Sequence, residues 1–233
     1  MAFIGIFAIV GLVGFILWPQ YWVKRVMKTH GEERDDFPGT GGELAKHLLD
    51  HYSINGVGVE QTDKGDHYDP EDRMVRLSAD NFTKSSLTAV AVAAHEVGHA
   101  MQHFDGLQGE RDGGLGLRQK LVSLAQVSDK IASVFFIAAP VLAVVARTPL
   151  AFFGLIAFGV ALLAVRILVH LVTLPVEYDA SFGKALPILE EGGYLHVDDL
   201  PAARSVLKAA ALTYVAGAVM SLIDLARWIR MIR

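Results

Sequence analysis

The apolar positions of this chain form long charge-free blocks toward both ends and shorter alternating or helical patterns between them. Residues Met1 to Val23 carry no formal charge, and the run closes on Lys24, Arg25 and Lys28. About 20 consecutive apolar residues suffice to span a bilayer. The basic residues follow the run and no A-x-A-like site ends it, so it reads as a signal-anchor helix rather than a cleaved signal peptide. The positive-inside rule then puts the N-terminus outside and the basic cluster inside. A second block, Ile131 to Ala146, is followed by Arg147-Thr148-Pro149; a third runs from Leu150 to about Leu174 with Arg166 and His170 inside it. Proline cannot continue a helix, so the two blocks are expected to form a transmembrane hairpin turning at that corner. A buried helix pair in a soluble core is the competing reading. Arg166 and His170 fall toward the end from which Glu177 emerges, where a long side chain can snorkel to the interface.

The last block, Ala209 to Ile223, has 15 uncharged residues before Asp224, with Arg227, Arg230 and Arg233 beyond it. Crossing outward would strand those arginines against the positive-inside bias. The segment is therefore read as either a fourth span or an interfacial helix.

The stretch from Thr29 to Lys130 is patterned for a folded polar domain. Thr40-Gly41-Gly42-Glu43 has capping-box spacing ahead of Leu44, Leu48 and Leu49, which predicts a short amphipathic helix ending near Tyr52. Val57 and Val59, then HYDPEDRMVRLS with Met74 and Arg76 alternating against Val75 and Leu77, predict two or three short strands. Turns are expected at Asp63 to Gly65 and Asp69 to Asp72. Ser85 or Ser86 is placed to cap a helix running through Leu87 to Ala94 into HEVGHAMQH.

Composition and charge narrow the classes. Hydrophobic residues make up 52% and charged residues 20% of 233, against about 25% charge in an ordinary soluble domain. A disordered chain would show the reverse bias. A formal net charge of −4 gives no basic field for nucleic acid. Lys24 to Lys130 alone holds 13 basic and 18 acidic residues, an ordinary solvated surface. There is no cysteine. That removes disulfide scaffolds, thiol nucleophiles and thiolate-bound zinc, and leaves histidines and carboxylates as the metal ligands.

His95-Glu96-Val97-Gly98-His99 is an HExxH motif on a predicted helix. Two histidines four apart lie on one helical face and can share a Zn²⁺, with the intervening glutamate placed to act as base on an activated water. With nine histidines in the chain, chance placement yields only about 0.015 such motifs. A catalytic zinc takes a third protein ligand and keeps one position open. His103 continues the face, but about 12 Å of helix separates it from His95, so it reads as a solvent-facing or supporting group. Asp105, Glu110 and Asp112 sit in a glycine-rich stretch with no helix to fix them. Glu177 in LPVEYDAS is the better candidate. A membrane hairpin would return it to the side on which HEVGH lies. Ser181, four residues after Glu177, is on its helical face and is placed to orient a ligand, as outer partners of metal sites do.

At HYDPEDRMVRLS with SSLTAVAVAAHEVGHAMQ, and again at LPVEYDASFGKAL and LKAAALTYVAGAV, the chain resembles the YugP-type neutral zinc metallopeptidases, a family of bacterial membrane proteins. The likeness runs from about Leu44 to the C-terminus in matching order, plus the N-terminal span. The resemblance implies zinc-dependent peptide hydrolysis, with His95 and His99 as ligands, Glu96 as general base and Glu177 in the third-ligand block. More distantly the arrangement is similar to gluzincin membrane proteases, whose third-ligand helix often reads E-x-x-x-D. Here Ser181 stands at the last position and Asp179 two residues after Glu177.

The expected fold is mainly α and integral to the membrane: a zincin-like metallopeptidase domain with a small β-sheet and an HExxH helix, plus three to four transmembrane helices. The expected divisions are a signal anchor over 1–23, the metallopeptidase domain over 24–130, the hairpin over 131–174, and a third-ligand segment with C-terminal helix over 175–233. The expected function is a membrane-embedded zinc endopeptidase of multi-pass topology in the cell membrane, with its site on the cytoplasmic face. Its expected partners are the lipid bilayer and a peptide or membrane-protein substrate. Glu96 is the expected base. Tyr214, His67, His103 and Arg204 are candidate oxyanion or supporting groups, as are Asp179 and Ser181, and the strand around Arg73 to Ser78 is a candidate edge for an extended peptide. The competing class is a non-proteolytic scaffold with a structural zinc, for which an intact Glu96 would be superfluous. A zinc transporter is a third, but Arg166, His170 and Asp224 make a thin ion path.

Overall fold

A computed structural model describes residues 17–107 and 148–213, with scattered positions between 127 and 142. The chain divides into two compact units. One comprises Tyr21–Gly116 and Pro175–Thr213, the other Met1–Gln20, Leu117–Leu174 and Tyr214–Arg233. Its elements are α1 (17–29), α2 (Gly41–His51), β1 (Gly58–Gln61), β2 (His67–Asp69), β3 (Met74–Leu77), α3 (Ala79–Thr83), α4 (Leu87–Leu107) and α5 (Pro149–Tyr178). A π-helical turn, Asp179–Ala185, follows α5 directly and leads into α6 (Leu186–Glu191); a 3₁₀ turn, Val197–Asp199, precedes α7 (Leu200–Ala211).

Local chemistry sets the elements of the first unit. Thr40 caps α2: its hydroxyl accepts from the Glu43 amide at 3.2 Å, and the Glu43 carboxylate accepts from the Thr40 amide at 2.8 Å. This is the reciprocal box read from the sequence. The helix buries Ala45, Leu48 and Leu49. Ser86 opens α4, accepting from the Ala89 amide at 3.1 Å. Asp66 holds the start of α3 by accepting from the Ser78 amide and hydroxyl and from the Asn81 amide group.

The sheet has the order β1-β3-β2, with β3 parallel to β1 and antiparallel to β2. Val75 and Leu77 are buried and face inward with Tyr68, while Arg76 lies on the other face and binds Glu60, Asp69 and Asp72 at 2.5 to 2.6 Å. The alternation expected along HYDPEDRMVRLS is therefore present. The expected peptide-docking role of residues 73–78 is not: β3 is the central strand, and both its edges are already hydrogen-bonded.

The core of this unit gathers around α4. From Leu87 to Ala100 every residue is buried, as in a core helix, with Thr88, His95, Glu96 and His99 the polar members. Leu48, Leu77, Leu189, Val206 and Leu207 pack into the same core with Val97. Arg34 adds a tie from outside it, pairing with Asp199 at 2.7 and 3.0 Å and with Asp36.

In the other unit α5 is the principal described element, and the rings of Phe135 and Phe158 meet edge to face at 5.0 Å. The expected integral-membrane fold with three to four transmembrane helices is corrected here. Among the described residues no helix is long and apolar enough to cross a membrane. A span needs about 20 consecutive apolar residues in one helix. The described part of the first candidate is residues 17–23, the start of the 13-residue α1, which runs on through Lys24, Arg25 and Lys28. Most of 131–146 and of 209–223 lies outside the described residues, as do eight side chains of α5, Arg166 and His170 among them. The fold class is mainly helical with one three-stranded sheet. The multi-pass cell-membrane placement, its cytoplasmic-face site and the lipid bilayer as partner are not supported either.

Two substitutions separate packing from capping. Leu48→Ala should lower unfolding free energy by about 3 kcal/mol through the cavity it leaves, and Thr40→Ala by about 1 kcal/mol through the lost cap, both read by urea denaturation.

Candidate metal centre

Helix α4 carries His95, Glu96 and His99, and the end of α5 carries Glu177; all four are buried, Glu177 to 1% exposure. The two imidazoles meet edge to face with centroids 4.7 Å apart. His95 Nε2 lies 3.3 Å and His99 Nε2 3.1 Å from the same oxygen, Glu177 Oε2. One ligand atom from each of the three residues falls within 4.8 Å of the others. A single ion can take all three.

The far sides of the rings show which nitrogens carry protons. Gln102 Nε2 donates to the Val176 carbonyl at 3.0 Å and to Asp179 Oδ2 at 2.8 Å. Its amide oxygen therefore faces His99 Nδ1, 2.9 Å away, and can only accept, so His99 is protonated at Nδ1. Ser181 donates its hydroxyl proton to the Leu207 carbonyl at 3.0 Å. The same oxygen must then accept from His95 Nδ1 at 2.9 Å. Both Nε2 atoms thus turn a lone pair toward a carboxylate oxygen. Three lone pairs at 3.1 to 3.3 Å are stable only around a cation, a proton or a metal ion. Two neutral imidazoles and a carboxylate form a borderline donor set, the kind zinc accepts. The residues present fit that ion.

The approach of the two chain segments depends on Gly98. A Cβ there would stand 2.8 Å from the Ala180 carbonyl oxygen and 3.3 Å from Lys184 Cβ. Lys184 closes the same contact through an ion pair with Asp105 at 2.8 Å. Glu177 therefore reaches the histidines by close packing of the π-helical turn on α4 within one unit.

The other sequence candidates have separate places. His103 Nδ1 pairs with the buried Tyr68 hydroxyl at 2.7 Å. Burial pushes the Tyr68 hydroxyl up to about 12; burial first, then the charge of Arg73, holds His103 below its ordinary value. Tyr68 accordingly keeps its proton and donates it to a neutral His103. His67 Nδ1 lies 2.8 Å from the Gly65 carbonyl at the preceding turn, and Arg204 pairs with Glu190 at 3.2 Å on an exposed face. Tyr214, Glu110, Asp112 and Asp224 lie outside the described residues. Gln102 is the residue the sequence reading passed over. Its signal was its spacing, three after His99 and so on an adjacent flank of the helix.

The buried cluster of His95, His99 and Glu177, two of them on a helix bearing HExxH, has the residue types and spacing to hold a metal ion. Residues 5–233 match the family described as "Putative neutral zinc metallopeptidase". The chain is also 34% identical over 227 residues to "Putative membrane protease YugP" of Bacillus subtilis (strain 168), covering 96% of this chain and 94% of that protein. The chain belongs to this neutral zinc metallopeptidase family. Zinc is its cofactor, and peptide hydrolysis is its activity at the level of the family. No solved structure matches it.

Replacing Gly98 by alanine should force α4 and the π-helical turn apart, costing about 1 to 3 kcal/mol and reducing the zinc retained on purification; thermal denaturation and elemental analysis check both. The low His103 value also has a sign. Its contribution is complete above pH 6.5, the ordinary value, and is lost as pH falls below that toward the lowered native one. His103→Gln should flatten the acid-side fall in unfolding midpoint, measured by denaturation between pH 7 and pH 5.

Proposed function

We propose that this chain is a zinc endopeptidase in which His95, His99 and Glu177 hold the metal and Glu96 is the general base. The observation that carries the reading is the convergence of His95 Nε2, His99 Nε2 and Glu177 Oε2 in a buried site. Three protein donors are the number a catalytic zinc takes, whereas a structural zinc is closed by four. Among the described residues the cluster holds three.

When bound, zinc supplies Lewis acidity to a peptide carbonyl and lowers the pKa of water toward about 7. The rest is done by the chain. Glu96 follows His95 directly on α4 and is 6% exposed, so its carboxylate acts in surroundings of low dielectric. It takes the proton from the attacking water and hands it to the departing amine. Glu177 contributes the negative charge that two neutral histidines lack, and Ser181 and Gln102 hold the imidazoles with Nε2 toward the centre. The peptide substrate belongs to the reading at the level of its class.

Glu96→Gln should reduce peptide hydrolysis at least about a hundredfold while keeping one zinc per chain, whereas His95→Ala and Glu177→Ala should lose the zinc. Elemental analysis and a quenched-peptide assay measure the two effects. Equal cleavage by the wild type and Glu96→Gln would overturn the proposal.

A further inference from the structure

Zinc-binding histidines commonly donate their second N–H straight to a carboxylate. Among the described residues the Nδ1 atoms of both histidines face neutral groups. His95 donates to a serine hydroxyl and His99 to a neutral amide, and the Asp179 carboxylate lies one residue further out behind Gln102. The amide is turned by its two acceptors. Its NH₂ group faces the Val176 carbonyl and Asp179 Oδ2, which leaves Oε1 for His99. A reversed amide would set its oxygen against two acceptors and its protons against the Nδ1 proton, and at 2% exposure no water is at hand to compensate. The burial makes the choice of orientation strict.

Asp179 is itself held by shape. A Cβ on Gly183 would stand 2.3 Å from Asp179 Oδ1 and 3.1 Å from its Cγ. Gly183 lies four residues on, inside the same π-helical turn. Its missing side chain is the space that the carboxylate occupies. The turn thus places Asp179 where Gln102 can reach it and Ser181 where His95 can, from one seven-residue segment that also packs on Gly98.

We infer that Asp179 and Gln102 are positioning residues: a relay, kept in register by Gly183, that locks His99 as its Nδ1–H tautomer before the metal arrives. This deepens the proposed metal centre and rests on His99 being a zinc ligand. Its first readout, however, needs neither zinc nor substrate. The Asp179 carboxylate orients the amide, the amide oxygen fixes the proton on Nδ1, and Nε2 is left as a lone pair directed at Glu177.

The test uses the full-length chain, ¹⁵N-labelled and stripped of metal with a chelator, with the His99 ring nitrogens assigned by His99→Gln. At pH 8 the wild type should show one tautomer, protonated at Nδ1. Gln102→Leu removes the acceptor and should give a mixture. Gly183→Ala leaves Gln102 in place but displaces Asp179, and should shift the ring signals in the same direction. Zinc dissociation constants, measured by competition with a chromophoric chelator, should rise about 10- to 100-fold in Gln102→Leu and by a smaller factor in Gly183→Ala. The double variant Gln102→Glu with Asp179→Asn keeps an acceptor for His99 and a donor between the two side chains, and should restore the Nδ1–H signal. An unchanged tautomer in both single variants, or a lower thermal midpoint with unchanged ring signals and zinc affinity, overturns the relay. Loss of the peptidase reading would appear separately, as zinc bound tightly without hydrolysis that depends on Glu96.

Discussion

The contact between Gly98 of α4 and the carbonyl of Ala180 in the π-helical turn is the constraint from which the site follows. At a Cβ distance of 2.8 Å there is no room for any side chain, so the backbones of two segments about 80 residues apart in sequence pack directly on each other. Each histidine then meets its partners from the second segment: Glu177 toward the centre, Ser181 behind His95, and Asp179 through Gln102 behind His99. Were the separation wider by a methyl group, the 3.1 and 3.3 Å approaches to Glu177 Oε2 would fail together.

That contact also explains why the buried polar groups are tolerable. Six polar side chains around it, His95, Glu96, His99, Gln102, Glu177 and Ser181, are each no more than 6% exposed. Isolated burial of such groups is costly. Here the hydrogen bonds are chained: a backbone carbonyl takes the serine proton, the serine takes the His95 proton, and the amide takes the His99 proton while giving its own to Asp179 and Val176. Satisfaction of each donor fixes the direction of the next, and the remainder is a set of lone pairs suited to a cation.

The local parts of the fold were legible in the sequence because they rest on short-range chemistry. The Thr40 and Glu43 cap, the inward Val75 and Leu77, the Ser86 cap and the two histidines four apart all depend on spacings of one helical turn or one strand repeat. Composition along the chain is a weaker guide to the environment of a segment. Charge-free blocks predict membrane spans, and no such helix is found among the described residues. The first half of the expected hairpin lies mostly outside the described residues; among the described residues, packing at Gly98 sets the π-helical turn against the helix that carries the histidines. The strand around residues 73–78 reads as a candidate edge, but strand order is non-local, and β1 and β2 both pair with it.

The sequence by itself determined the ligand types, the helix that presents two of them and the absence of any thiol alternative, since these follow from residue identity and helical period. It also marked Glu177 and Ser181 by their four-residue spacing. Only the tertiary structure decided that His103 belongs to Tyr68, that Gln102 joins Asp179 to His99, and that Gly183 holds space for a carboxylate. Those outcomes depend on which side chains meet across segments far apart in the chain. A periodicity of 3.6 or 2 residues carries no information about such meetings, and close packing of two particular backbones does.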